Sequence, residues 1–182
     1  SNLGSHEVEM DDDGHYFAED FEGDFPPVDW SVVSEDEYGY TSTTGWDQGP
    51  GSYGPGFANT GSFCAYYDVW NIWYGGTSML VSPAIDLSSA TAPILYYYFW
   101  DSYHSPSYDP LEVFVSSDAG LTFTSLFIGP SSTNGWQEFQ VDLTAYVGGE
   151  VHVAFKIESD YGSNNPHFCL LYTSDAADDS LR

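Results

Sequence analysis

The sequence predicts an all-β chain, an antiparallel β-sandwich of the jelly-roll type, and three observations carry that expectation. The 182 residues include 15 Tyr, 12 Phe and 6 Trp, while Lys, Arg, Gln and Met, the straight-chain helix formers, are scarce. Several short runs alternate apolar and polar residues with a period of two, as half-buried strands do. Clusters of Gly, Pro, Ser and Asn separate those runs, and no segment repeats apolar residues at helical spacing.

Taken in order, residues 1–15, SNLGSHEVEMDDDGH, are polar and acidic without hydrophobic period, and are expected to form a flexible arm or linker. Asp11, Asp12 and Asp13 lack the alternating ligands and twelfth-position Glu of an EF-hand loop. The sandwich is expected over 16–168. Weaker strands fall at Tyr16–Phe21, Trp30–Ser34 and Phe63–Tyr67, and SMLVSPAIDL is a strand closed by Pro83, which suits a strand end or edge. APILYYYFWD, from Ala92 to Asp101, is apolar on both faces. It is either a central strand covered on each side or one whose outward rings form a binding surface. LEVFV sets Leu111, Val113 and Val115 together, and WQEFQVDL sets Phe139, Val141 and Leu143 opposite Glu138, Gln140 and Asp142. VHVAFKI sets Val151, Val153, Phe155 and Ile157 opposite His152, Ala154 and Lys156. Eight or nine such strands make two packed sheets. The long segments 35–61 and 101–110, rich in Gly, Tyr and Pro, read as end loops, where sandwiches carry function.

Charge excludes several functions. Against 28 acids stand two bases, Lys156 and Arg182, for a net charge of −26. Counterion release needs clustered Lys and Arg, so nucleic acid and anionic lipid are excluded as partners. No run approaches the ~18–20 apolar residues of a membrane span, so direct membrane insertion is not expected. An acidic surface suits extracellular solvation, a high-salt setting or hard divalent cations. No signal peptide is visible and the chain starts abruptly at Ser1, so a fragment of a longer precursor is expected. From Cys169 to Arg182, CLLYTSDAADDSLR resembles a translated adapter of transposase-prepared sequencing libraries. Residues 169–182 are therefore expected to be a non-native tail. That leaves Cys64 as a small buried residue rather than the disulfide partner of Cys169.

No catalytic constellation stands out. The five histidines have no zinc spacing, and His104 and His152 read as solvated. There is no Gly-x-Ser-x-Gly elbow, and the abundant carboxylates single out no pair for glycoside hydrolysis. SSDAGLTF, with Ser116, Asp118, Gly120, Thr122 and Phe123, has the spacing of the Asp-box known from sialidases. A single copy with no arginine cluster is a hairpin staple, so the chain is not read as an enzyme. Its best functional feature is its aromatic loops. VWNIWYGG supplies Trp70, Trp73 and Tyr74; YGYTSTTGWDQGPGSYGPGF supplies Tyr38, Tyr40, Trp46 and Tyr53; the next long loop holds Tyr103 and Tyr108. Such rings stack on sugars or form protein-binding hot spots. Trp46, Tyr53, Trp70, Trp73, Tyr74, Tyr103 and Tyr108 form the candidate ligand-binding set, while Trp30, Trp100 and Trp136 are expected in the core.

Four motifs in order resemble the cleaved-adhesin and choice-of-anchor family, which includes adhesin domains attached to gingipain-type peptidases. They are EDFEGDFPPVDWSVV (19–33), MLVSPAIDLSSATAPILYYYF (79–99), DPLEVFVSSDAGLTFTSL (109–126) and GWQEFQVDLTAYVGGEVHVAFKI (135–157). MAM domains are more distantly similar. The resemblance implies a secreted or surface-displayed, non-catalytic module beside neighbouring domains of a longer chain. Its expected partner is a host or matrix protein, or a glycan if the module is a carbohydrate-binding accessory domain of a secreted peptidase or glycoside hydrolase. It also implies structural calcium, with Glu22 of the FEG motif at a ligand position; Asp24, Asp101 and Asp109 are further hard-oxygen candidates. The family's closing strand, with its paired acids, is expected to be missing here.

Overall fold

A computed structural model describes residues 15–35, 41–42, 45–49, 55–67, 76–101, 111–130, 133, 135–158 and 167–175. Thirteen strands occur among them: β1 (His15–Glu19), β2 (Ser31–Glu35), β3 (Thr41–Ser42), β4 (Trp46–Gly49), β5 (Cys64–Tyr67), β6 (Thr77–Val81), β7 (Ile85–Asp86), β8 (Pro93–Trp100), β9 (Glu112–Ser116), β10 (Thr124–Ile128), β11 (Gln137–Asp142), β12 (Glu150–Glu158) and β13 (His167–Asp175). The only helical turn among the described residues is a 3-10 turn, Thr144–Tyr146.

The strands form two antiparallel sheets, a β-sandwich as the sequence predicts. One sheet has six strands in the order β11–β8–β13–β5–β4, with β1 also on β13. The other has seven, β10–β9–β12–β6–β2–β3, with β7 also on β12. Each sheet is built around one long strand. On β12, β9 occupies one edge and β6 and β7 share the other. On β13, β8 runs along one edge from His167↔Trp100 to Asp175↔Pro93, while β5 and β1 share the other.

The period-two pattern decides what is buried. Val151, Val153, Phe155 and Ile157 of β12 face Leu95, Tyr97 and Phe99 of β8 in one core. Tyr97 bridges the sheets: its ring stacks on Phe139 at 5.6 Å and meets Phe155 edge-on at 5.5 Å. Burying a side chain of this size stabilises the fold by ~1.5–3 kcal/mol.

Three expectations need correction. The predicted tail is not separate from the sandwich, because residues 169–175 continue β13 at the centre of a sheet. Asp175 of that strand is a buried acid. The 35–61 loop contains β3 and β4. His152 is half-buried rather than solvated, with Nδ1 2.9 Å from the Ser82 carbonyl oxygen, because the chain leaving β6 stays bonded to β12.

The Asp-box motif is a hairpin staple, as its sequence suggests. Between β9 and β10, Ser116 Oγ donates to Asp118 Oδ1 at 2.7 Å and accepts from the Gly120 N–H at 2.9 Å. Asp118 also accepts from the Thr122 hydroxyl at 2.6 Å and from the Thr122 N–H at 2.9 Å. Gly120 takes φ +81°, a conformation that suits a residue without Cβ. The bonds from Thr122, then from Ser116, hold the exposed Asp118 carboxyl down at about 2. The Ser116, Asp118 and Thr122 side chains all bond within their own turn.

Candidate functional site

The pleat that turns Leu95, Tyr97 and Phe99 of β8 inward turns Tyr96, Tyr98 and Trp100 to the outer face of the six-stranded sheet. Trp100 and Tyr66 stand on either side of β13, both opposite His167. Two strand spacings, roughly 9.5 Å, separate their backbones, about the span of two linked pyranose rings. Tyr98 lies one two-residue step from Trp100 on the same face. Tyr66, Tyr98 and Trp100 are half-buried, whereas Tyr96 is buried.

Carboxylates and an amide border these rings. Tyr98 donates its hydroxyl to Glu138 Oε2 at 2.8 Å, and Gln140 Nε2 donates to Glu138 Oε1 at 3.2 Å. Tyr66 donates to Asp47 Oδ2 at 3.5 Å. Asp47, Glu138 and Gln140 are exposed. A small second cluster of Ala58, Cys64 and Trp136 packs on the same side, Cys64 lying two residues before Tyr66 on its strand. Cys64 is fully buried and donates its thiol to the Gly49 carbonyl at 3.1 Å, as a small core residue would. Trp136 Nε1–H donates to the Phe57 carbonyl at 3.2 Å, tying down a segment whose Phe57 and Phe63 rings are exposed.

The structure redistributes the predicted binding set. Trp46 is not a surface ring: it is 4 % exposed, meets Tyr67 edge-on at 5.7 Å and donates Nε1–H to the Ser78 carbonyl at 3.4 Å. The reason is register, since Trp46 pairs with the inward-facing Tyr67. Trp100, expected in the core, is half-buried on the outer face. Trp30 is buried and Trp136 half-buried. Tyr38, Tyr40, Tyr53, Trp70, Trp73, Tyr74, Tyr103 and Tyr108 lie outside the described residues, as does His104. The described chain does show where two of their segments begin. β5 ends at Tyr67, one residue after Tyr66, and β8 ends at Trp100; their shared level opposite His167 puts both at the same end of the six-stranded sheet.

Tyr66 and Phe57 escaped the sequence reading, and Tyr98 entered it only as part of the 92–101 run. The YYYFW run carried a signal, because alternate rings of a strand face opposite ways. The register that places Tyr66 beside it across β13 has no sequence signature.

Glu22, the calcium candidate of the FEG motif, has another partner. Its Oε1 accepts from the Ser62 and Phe63 N–H groups, both at 2.8 Å. Gln48 Nε2 donates to the Phe21 carbonyl and, at 2.8 Å, to the Gly23 carbonyl. Phe21 takes φ 59°, a strained angle for an aromatic residue, and its N–H is held by Glu19 Oε1 at 2.7 Å. Burial pushes the half-buried Glu19 carboxyl above its ordinary value, and the Phe21 N–H only partly offsets it. Gly61, at φ +65°, packs where a Cβ would strike the Glu22 carboxylate. Glu22 thus clamps the turn that leads into β5.

Asp24 is exposed, Asp101 is 1 % exposed with its backbone bonded to Thr133, and Asp109 lies outside the described residues. Among the described residues, no three His, Cys, Asp or Glu side chains come together as metal ligands.

No protein-family model and no curated protein matches the sequence. Solved structures share its fold. A cleaved adhesin domain of Lys-gingipain from Porphyromonas gingivalis superposes with a TM-score of 0.64 at 22 % identity, over 87 % of this chain and 97 % of that one. The C-terminal family 22 carbohydrate-binding module of Clostridium thermocellum Xyn10B gives 0.55 at 12 % identity, over 92 % and 97 %. The carbohydrate-binding module TmCBM61, solved in complex with β-1,4-galactotriose, gives 0.56 at 16 % identity, over 86 % and 94 %. The resemblance carried by the four sequence motifs is thus met by a likeness of fold to cleaved adhesin domains.

Proposed function

We propose that this chain is a non-catalytic binding module of a larger secreted or surface protein, and that it holds a glycan against the outer face of its six-stranded sheet. One observation carries the reading: Tyr66, Tyr98 and Trp100 stand half-buried on a single face, bordered by Asp47, Glu138 and Gln140. Aromatic faces stack on the C–H faces of pyranose rings, while carboxylates and amides accept or donate to their hydroxyls. Trp70, Trp73, Tyr74, Tyr103 and Tyr108, outside the described residues, stay in the proposal as further candidate ligand-binding rings. The fold shared with carbohydrate-binding modules supports the reading. An extracellular or cell-surface location belongs to it, and no described helix is long and apolar enough to cross a membrane.

Titration of a glycan array with the full chain tests this. Trp100→Ala is expected to weaken the bound glycan by about 2 kcal/mol, roughly thirtyfold, with the melting temperature retained. Unchanged affinity would remove the face from the proposal. The fold likeness to a gingipain adhesin domain favours a second reading, adhesion to a host or matrix protein. Matrix-protein binding in the absence of any glycan binding would select it.

Calcium has a supporting place in the proposal, with Glu22, Asp24, Asp101 and Asp109 as its candidate ligands. Added calcium is expected to raise the melting temperature by several degrees over a chelated sample. Superimposable melts would remove the metal and leave the binding face untouched.

A further inference from the structure

We infer that the candidate face selects its glycan by charge, accepting neutral or amine-bearing chains and rejecting those with carboxylate, sulfate or sialic acid groups. This rests on the carbohydrate reading above and names the ligand class for that same face. Lys156 and Arg182 are the only lysine and arginine in the sequence, and Arg182 lies outside the described residues. Lys156 sits on β12 of the other sheet, with Nζ 5.8 Å from the centre of the Phe114 ring. Packed sheets stand ~10 Å apart, so its ammonium is separated from the candidate face by more than the ~8 Å over which charges are felt at physiological salt.

The groups on the face itself have the opposite sign. Glu138 lies 2.8 Å from the Tyr98 phenol oxygen, and Asp47 lies 3.5 Å from that of Tyr66. An ionised carboxylate only accepts hydrogen bonds. It takes one from a sugar hydroxyl or ammonium, but has nothing to offer an anionic sugar and repels it. The surrounding field, from a chain of net charge −26, slows the approach of any polyanion further. The face therefore discriminates through a built-in repulsive element rather than an added contact.

An array of matched glycans tests the inference on the full chain at physiological salt. It pairs neutral chains with carboxymethylated, sulfated and sialylated forms of the same backbone, and N-acetylated amino-sugar oligomers with their deacetylated forms. Anionic members are expected to bind at least about tenfold more weakly than their neutral partners, and deacetylated members as tightly or more tightly. The double substitution Asp47→Lys with Glu138→Lys is expected to close the gap for sulfated chains. Equal or tighter binding of the anionic forms, with neutral forms also bound, would overturn the charge inference alone. Binding to no member of the array would remove the carbohydrate reading and this inference with it.

Discussion

Deleting residues 169–182 is expected to abolish the cooperative thermal transition of this chain. β13 lies inside the six-stranded sheet, paired to β8 on one edge and to β5 and β1 on the other. The deletion leaves only its first two residues and strips β8 of its partner from Tyr98 to Pro93. β1 loses every pair it makes with the sheet. Each buried backbone N–H or carbonyl left unpaired costs ~1–3 kcal/mol, and several together exceed the ~5–15 kcal/mol net stability of a domain. Differential scanning calorimetry of the two lengths gives the answer. A cooperative transition within about 5 °C of the full chain would show that this strand is dispensable.

Asp175→Ala is expected to destabilise the full chain by about 3 kcal/mol. Asp175 is 9 % exposed and ties three segments together. It accepts from the Tyr16 hydroxyl at 2.9 Å, the Thr91 hydroxyl at 2.8 Å, and the N–H groups of Thr91 and Ala92 at 3.0 and 2.7 Å. Alanine leaves all four donors without their acceptor, and bonds to a charged group contribute ~1.5–3 kcal/mol each without adding fully. Burial alone would raise this carboxyl, but the bonds from Ala92, Thr91 and Tyr16 outweigh it and hold the group below its ordinary value. A depressed folded pKa gives stability that is present above the unfolded value of ~3.9 and is lost as pH falls through the folded one. Denaturant melts from neutral pH downward should therefore show the wild-type advantage over Asp175→Ala shrinking below about pH 4. A constant difference across that range would contradict the charged network.

The sandwich was legible because burial imposes period two on its strands. VHVAFKI and WQEFQVDL give β12 and β11 almost residue for residue, and the Asp-box turn follows from its local hydrogen-bonding needs. The strand at 167–175 was not legible, because its resemblance to an adapter outweighed a weak apolar pattern. Its place is set by long-range pairing to Leu95 and Ala18 rather than by local propensity. The candidate face was half legible. Rings on alternate positions of YYYFW announced an aromatic surface, but composition also favoured Trp46, which register turns inward. Sequence places residues along a strand; only the neighbouring strands decide which rings share a face.

Backbone amide shift mapping during titration with a bound oligosaccharide tests the central claim most directly. The largest changes are expected on β5, β8 and β11 around Tyr66, Tyr98, Trp100 and Glu138. Changes centred instead on β9 and β12 around Phe114 and Lys156, on the far side of the sandwich, would contradict it.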